Sequence, residues 1–213
     1  MSLQNGEIIG YVGPMKSGKS AKLIEIASRN ETLGLTTLAF YPEIDCRCHP
    51  DTIQSRRGTN SPAFPVSCTN PEDVLWMVSQ EKQRVHTVIF DEMQFFAPEY
   101  SDAIRDLANS DIKVIYGGLL HDFRGEFFPV VKKLLSCSDR VHSLSAHCDY
   151  RINGHTCTRP ATRTQRLING EPAPYNSPVV VIDSSNNTSV TYEARCTQHW
   201  TVPGLPESRR KIF

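Results

Sequence analysis

Eight consecutive residues near the amino terminus match the pattern G-x-x-x-x-G-K-[ST] of a phosphate-binding loop. In such a loop, glycines let the backbone curl so that successive amide N–H groups point at phosphate oxygens. The helix that follows adds the positive end of its dipole. We expect Lys19 to bridge the β- and γ-phosphates of ATP and the Ser20 hydroxyl to hold Mg²⁺. The predicted ATP-binding residues are Gly13, Pro14, Met15, Lys16, Ser17, Gly18, Lys19 and Ser20.

Two adjacent carboxylates, Asp91 and Glu92, follow a hydrophobic run at 85–90 that predicts a strand. A carboxylate that ends a strand beside a phosphate loop is typical of a Mg²⁺ ligand, and we assign this role to Asp91. The alternative is a turn carboxylate that only terminates the strand. Glu92 could remove a proton from a hydroxyl acceptor, or polarise a water in a hydrolase. The pair alone therefore leaves both a kinase and an ATPase open.

The elements around these groups alternate between strands and helices up to about residue 141. Strands are predicted at 7–12, 36–41, 85–90 and 112–116, and helices at 21–27, 71–81, 100–109 and 130–135. Residues 45–65 lack periodicity and predict a long loop. Alternating strands and helices imply right-handed crossovers, so we expect an α/β fold of the P-loop NTPase kind: a mostly parallel sheet with helices on both faces.

Cysteines, histidines and turn signals replace helical periodicity in the rest of the chain, with strands predicted at 179–182 and 190–192. Four side chains there form a candidate structural zinc site, because four protein ligands leave no open position for catalysis. Two alternatives stay open: His147 or His155 replaces one cysteine, or the thiols are buried without metal. The predicted ligands are Cys148, Cys157, Cys196 and His199.

The other cysteines carry weaker predictions. Cys46 and Cys48 with His49 are a second cluster, but its ligand set is incomplete, and we interpret these as loop residues. Cys68 and Cys137 are interpreted as packing residues.

Composition excludes some function classes. The 213 residues contain 23 basic and 23 acidic side chains, so the net charge is zero, which argues against a nucleic-acid partner. No apolar run approaches the ~20 residues that cross a bilayer. Residues 1–7 lack the features of a secretory signal, and seven cysteines are poorly explained by disulfides in a cytosolic chain. We therefore expect a cytoplasmic protein without membrane contact.

Several ordered motifs resemble the thymidine kinase family of the cellular and bacterial type (type II thymidine kinases). They span nearly the whole chain in the family's order. Besides the phosphate loop, the matching segments are 91–96 (DEMQFF), 118–119 (GL) with 122–126 (DFRGE), 164–167 (TQRL), Tyr192 four residues before Cys196, and 55–56 with 61–63.

The resemblance implies an enzyme that uses ATP and Mg²⁺ to phosphorylate the 5′-hydroxyl of thymidine, and of deoxyuridine, in nucleotide salvage. Glu92 would be the catalytic base. Residues 164–182 would form a lasso loop whose backbone hydrogen-bonds the thymine edges. Arg56 and Arg124 would help to bind the charge of the substrate or of the phosphates. The implied substrate-binding residues are Met15, Phe95, Leu119, Phe123, Thr164 and Tyr192. The family also implies a homotetramer and feedback inhibition by dTTP.

The predicted organisation is a P-loop domain at 1–143, a zinc-binding lasso domain at 144–202 and a tail at 203–213. The family usually has two residues between its first two zinc cysteines, so 149–155 is an insertion, which Asn153-Gly154 could turn into a hairpin. The other function class is a P-loop ATPase whose zinc module binds nucleic acid or a protein.

Overall fold

The short runs of β-branched and aromatic residues form a parallel sheet, as predicted. The structure, a computed structural model, describes residues 6–45, 51–56, 58–179 and 189–207. In this part of the chain the sheet order is β5-β2-β6-β7-β1-β8, and every pairing is parallel. The first eight strands are β1 (Ile8–Val12), β2 (Thr37–Pro42), β3 (Thr52–Gln54), β4 (Asn60–Pro62), β5 (Phe64–Val66), β6 (Thr87–Phe90), β7 (Lys113–Gly118) and β8 (Arg140–Ser143).

Helices cover both faces of this sheet, which confirms the predicted α/β class. Strand residues alternate between the faces, so that Val88 and Phe90 pack on one side and Ile89 on the other. The first side is covered by α2, α3 and α4, and the second by α1. The helices are α1 (Lys19–Thr32), α2 (Glu72–Gln80), α3 (Tyr100–Asn109) and α4 (Pro129–Cys137), with a short 3-10 helix at Met93–Phe95.

The described residues fall into two units. The first comprises Met1–Val12, Gly18–Leu120 and Phe128–Leu144, and therefore holds the parallel sheet and its helices. The second comprises Gly13–Ser17, His121–Phe127 and Ser145–Phe213. Gly13–Ser17 and His121–Phe127 thus belong to the same unit as the cysteine-rich part of the chain, although both precede it in the sequence.

The second unit is built from short antiparallel strands. Its largest sheet has the order β14-β13-β15, and β9 pairs with β12 and β10 with β11. Its strands are β9 (Ala146–His147), β10 (Arg151–Ile152), β11 (His155–Thr156), β12 (Pro160–Ala161), β13 (Arg163–Ile168), β14 (Glu171–Pro172) and β15 (Val190–Arg195).

Three parts of the structure differ from the expectation or lie beyond it. Residues 45–65 were predicted as one long loop. This interval contains the antiparallel pair β3–β4 and most of β5, a strand of the parallel sheet. β8 and β13 are further strands that the patterning did not predict. Residues 180–182 of the strand predicted at 179–182, and the candidate cluster of Cys46, Cys48 and His49, lie outside the described residues. In the described ranges, no helix has the length and apolar character needed to span a membrane.

Candidate active site and metal centre

The phosphate loop ends where α1 begins, in the first unit. Gly18 has φ 86°, a left-handed conformation that favours glycine, and its carbonyl accepts the Lys22 N–H at 3.0 Å to start the helix. Lys19 at the first helical position is buried, with 7% of its surface exposed. A buried ammonium at a helix amino terminus is an arrangement suited to an anionic ligand.

The first half of the loop, Gly13–Ser17, is held by contacts within the second unit. The Met15 N–H donates to the Thr164 hydroxyl at 3.2 Å, so the predicted substrate residue Thr164 also fixes the loop backbone. Lys16, at φ 66°, forms an ion pair of 2.7 Å with Asp149. Asp149 follows the predicted zinc ligand Cys148 and also accepts the Ala194 N–H at 2.7 Å. The cysteine-rich part of the chain therefore constrains this loop directly.

Asp91 lies at the carboxyl end of β6 and is almost completely buried. Burial, together with the charge of the neighbouring Glu92, raises the pKa of this carboxyl to about 7. A hydrogen bond from the Ser20 hydroxyl, one from the Glu92 N–H at 2.9 Å and the Lys19 charge act in the opposite direction. Asp91, Ser20 and Lys19 thus converge within the first unit. The carboxylate and the hydroxyl are oxygen ligands of the kind that Mg²⁺ takes, so the donor set fits this ion.

Glu92 has a strained backbone and a dedicated partner. Its φ and ψ of 50° and 42° are left-handed, which is uncommon for a residue other than glycine and concentrates at functional sites. The Gln94 amide donates a hydrogen bond to the Glu92 carboxylate and accepts the Leu119 N–H at 2.9 Å. A Cβ on Gly118 would lie 3.2 Å from the same Gln94 oxygen, so this close approach favours glycine. The orientation of the Glu92 carboxylate is therefore set by Gln94.

The apolar residues predicted to contact a nucleoside occur in both units. In the first unit, Phe95 ends the 3-10 helix and Leu119 follows β7, and both side chains are half-buried. In the second unit, Met15 and Tyr192 are half-buried, whereas Phe123 is only 2% exposed.

Arg56 and Arg124, the two arginines expected to help bind substrate or phosphate charge, have different surroundings. Arg124 forms an ion pair with Asp122 at 2.8 Å, approaches Glu126 at 3.7 Å, and lies over the Tyr175 ring. These contacts brace the turn at 122–126. Arg56 is exposed.

The four predicted zinc ligands come together in the second unit. Their ligand atoms all lie within 4.8 Å of one another. The His199 Nδ1 is 3.6 Å from the Cys148 Sγ and 3.5 Å from the Cys196 Sγ. A tetrahedral ion with bonds of roughly 2.3 Å to sulfur and roughly 2.1 Å to nitrogen would separate such atoms by roughly 3.6 Å. The geometry therefore fits a structural zinc ion.

The inserted residues form the predicted hairpin beside this cluster. β10 and β11 pair through a turn in which Asn153 and Gly154 have φ of 50° and 80°, the left-handed pair that a type I′ turn requires. His147 and His155, the alternative ligands, are exposed, and within the described residues neither belongs to the group of four.

Sequence reasoning gave no role to two residues that the structure places among the site residues. Gln94 stands between Glu92 and Phe95 in a matching motif, and its buried amide becomes informative only once Leu119 is brought beside it. Arg166 also lies in a matching motif. It is 1% exposed, and its guanidinium lies 4.2 Å from the Phe123 ring centroid. The residues around Arg166 in the sequence have no periodic apolar pattern, so nothing local indicates that this arginine is buried.

Comparisons with known proteins agree with one another along the length of the chain. The family model described as thymidine kinase matches residues 6–200. A thymidine kinase of Pyrobaculum aerophilum is 37% identical over 196 residues, which cover 92% of this chain and 99% of the relative. A thymidine kinase of Thermococcus kodakarensis is 37% identical over 193 residues, which cover 90% and 92%.

Among solved structures, the Pif1 helicase of Candida albicans aligns with 67% of this chain and 36% of its own, at a TM-score of 0.39 and 14% identity. That similarity is too low to carry an argument. The family match and the two relatives are specific and cover nearly all residues. The chain belongs to the thymidine kinase family.

Proposed function

We propose that the protein transfers the γ-phosphoryl group of ATP to the 5′-hydroxyl of thymidine, and of deoxyuridine, for pyrimidine deoxynucleotide salvage. The observation that carries the proposal is membership of the thymidine kinase family over residues 6–200. The convergence of Lys19, Ser20 and Asp91 at the end of β6 supports it, because open parallel sheets bind ligands at the carboxyl ends of their strands.

The chemical step follows from the side chains at this edge. Ser20 and Asp91 would hold Mg²⁺, which offsets charge on the phosphates when bound. Lys19 and the loop amides position the triphosphate. The 5′-oxygen bonds to the γ-phosphorus as the bond from that phosphorus to the β,γ-bridging oxygen breaks, and Glu92 accepts the hydroxyl proton. The products are ADP and dTMP.

Acceptor recognition is proposed to need little charge. Met15, Phe95, Leu119, Phe123 and Tyr192 would contact the thymine ring and the sugar. Thr164 and the backbone of the lasso segment would bind the edges of the base. An apolar surface with a few aimed polar groups suits a neutral pyrimidine.

The zinc ion and the assembly complete the proposal. Zinc on Cys148, Cys157, Cys196 and His199 would be structural. From the family resemblance we also propose a cytoplasmic homotetramer that dTTP inhibits by occupying the thymidine site.

The other function class, a P-loop ATPase with a partner-binding zinc module, is not favoured. The thymidine kinase match extends over both the phosphate loop and the cysteine-rich part of the chain. A coupled ADP-release assay separates the two: the kinase turns over only with thymidine or deoxyuridine, whereas an ATPase releases ADP without an acceptor.

The deciding variant is Glu92→Gln, which keeps the shape of the side chain and removes the base. We expect kcat to fall by ~10²–10⁴ with ATP binding retained. The matched control is Glu99→Gln, at an exposed position before α3. Near-full thymidine-dependent turnover in Glu92→Gln would exclude this residue as the base.

A further inference from the structure

Arg166 is a buried cation whose charge must be offset. It lies on β13 opposite Tyr192 of β15, with only 1% of its surface exposed. Arginine does not deprotonate in proteins, and a buried charge without compensation is strongly unfavourable. Across the described ranges, no carboxylate forms an ion pair with it. Other groups of the second unit must therefore stabilise the guanidinium.

Two carbonyls and two aromatic rings provide this stabilisation. One terminal nitrogen of Arg166 donates to the Pro178 carbonyl and the other to the Val179 carbonyl. The guanidinium carbon lies 4.2 Å from the ring centroid of Phe123 and 5.6 Å from that of Tyr192. A planar fork can hold two consecutive carbonyls and stack on a ring at the same time, which an ammonium cannot do. Both terminal nitrogens thus hold the backbone at Pro178–Val179, whereas the buried Nε has no hydrogen-bond partner in the described residues.

We propose that Arg166 is a positioning residue for acceptor recognition: its guanidinium fastens the segment at Pro178–Val179 to the Phe123 and Tyr192 rings. This inference rests on the proposed function, in which these two rings contact the nucleoside. Arg166 acts through them and through the backbone at Pro178–Val179. Its loss must therefore weaken thymidine binding selectively, while the ATP-binding groups of the first unit are untouched.

The test compares Arg166→Lys, which keeps the charge without the fork, with Arg166→Gln, which keeps a donor without the charge. We expect the KM for thymidine to rise by about tenfold or more in both, with the KM for ATP within about twofold of the parent. The control for the substitution is Arg105→Lys, at an exposed arginine of α3. The control for lost stability is Val130→Ala, in the core of the first unit.

A second measurement does not depend on turnover. Hydrogen exchange of peptides that cover residues 173–179 should become faster in both Arg166 variants and stay unchanged in both controls. If the parent does not phosphorylate thymidine, the proposed function fails, while the exchange result still tests the contact itself. Equal shifts in the two KM values, unchanged exchange, or failure of both variants to fold would each overturn the positioning role.

Discussion

At the scale of single residues, the carboxylate of Glu92, which we propose as the catalytic base, depends on a neighbour for its orientation. Glu92 follows the buried Asp91 in a left-handed conformation, so the backbone turns sharply where the strand ends. Gln94 then connects the Glu92 carboxylate with the Leu119 N–H. The amide can do both because it has a donor and an acceptor, whereas an ionised acid of similar size lacks the donor and a hydrocarbon lacks both.

Substitutions of Gln94 should therefore separate catalysis from ATP binding. In Gln94→Leu the carboxylate loses its donor and the Leu119 N–H loses its acceptor, so we expect kcat to fall by roughly tenfold to a hundredfold. Gln94→Glu keeps an acceptor for the Leu119 N–H but replaces the donor to Glu92 with a like charge, so we expect kcat to fall in this variant as well. Steady-state kinetics from pH 5.5 to 9 measure both effects.

The control for Gln94 is Gln80→Leu, at an exposed position that ends α2. It should reproduce the parent profile. An unchanged kcat in Gln94→Leu, in a protein that melts at the parent temperature, would show that Glu92 needs no such partner.

At the scale of elements, the second unit has few apolar groups for its length and relies on the cysteine and histidine cluster. The buried residues packed around that cluster are small, among them Ala146, Ala161 and Ala194. Small loop-rich modules of this kind usually need a metal or disulfides because their cores are too small. The five cysteines in the described part of the chain form no disulfides, and the proposed zinc ion on the cluster would provide the missing brace.

Loss of one ligand should therefore destabilise this unit selectively. For Cys157→Ser we expect zinc content to fall from about one ion per chain to near zero, and the unit to lose several kcal/mol (~3 or more) of stability. The KM for thymidine should rise, because β13 and β15 belong to the same unit and carry Thr164 and Tyr192, two of the proposed substrate-binding residues. Metal analysis, calorimetry and kinetics together measure this.

The matched control is Cys137→Ser, at a half-buried thiol of α4 in the first unit. Zinc content should stay at the parent value there. If Cys157→Ser binds zinc as the parent does, the cluster is a group of buried thiols.

Two strands of the first unit, β6 and β7, could be predicted from the sequence, whereas β13 of the second unit could not. β6 and β7 are apolar runs buried on both faces, so their hydrophobicity alone predicted them. β13 has the buried polar residues Thr164, Gln165 and Arg166, which conceal any period. Their burial depends on partners far along the chain, such as the Thr201 backbone that Gln165 contacts through both its donor and its acceptor. No local pattern encodes such partners.

The same reason explains the limits of the site prediction. Lys19, Ser20, Asp91 and Glu92 follow from motifs that are local in sequence, and the zinc ligands from residue type and spacing. Gln94 and Arg166 act through groups that only the fold brings near them.

At the scale of the whole molecule, balanced charge leaves individual buried groups to set the acid sensitivity. The 23 basic and 23 acidic side chains give no net charge near neutrality, so global repulsion is small there. His121 packs on Phe127 with ring centroids 4.5 Å apart and lies 3.5 Å from an Arg163 nitrogen. Burial, reinforced by the Arg163 charge and only partly offset by Asp122, lowers the pKa of His121 to about 4.

Stability should therefore fall between pH 6.5 and 4, because the unfolded chain binds a proton at His121 there and the folded chain does not. His121→Phe keeps a ring against Phe127 but cannot titrate, so its urea midpoint should fall less steeply over this interval. The difference should reach about 1 kcal/mol, below the full linkage because the ring is partly exposed. His142→Phe, at an exposed ring of β8 stacked on Tyr11, controls for losing a histidine and should parallel the parent. If all three proteins lose stability equally from pH 6.5 to 4, His121 does not govern acid sensitivity.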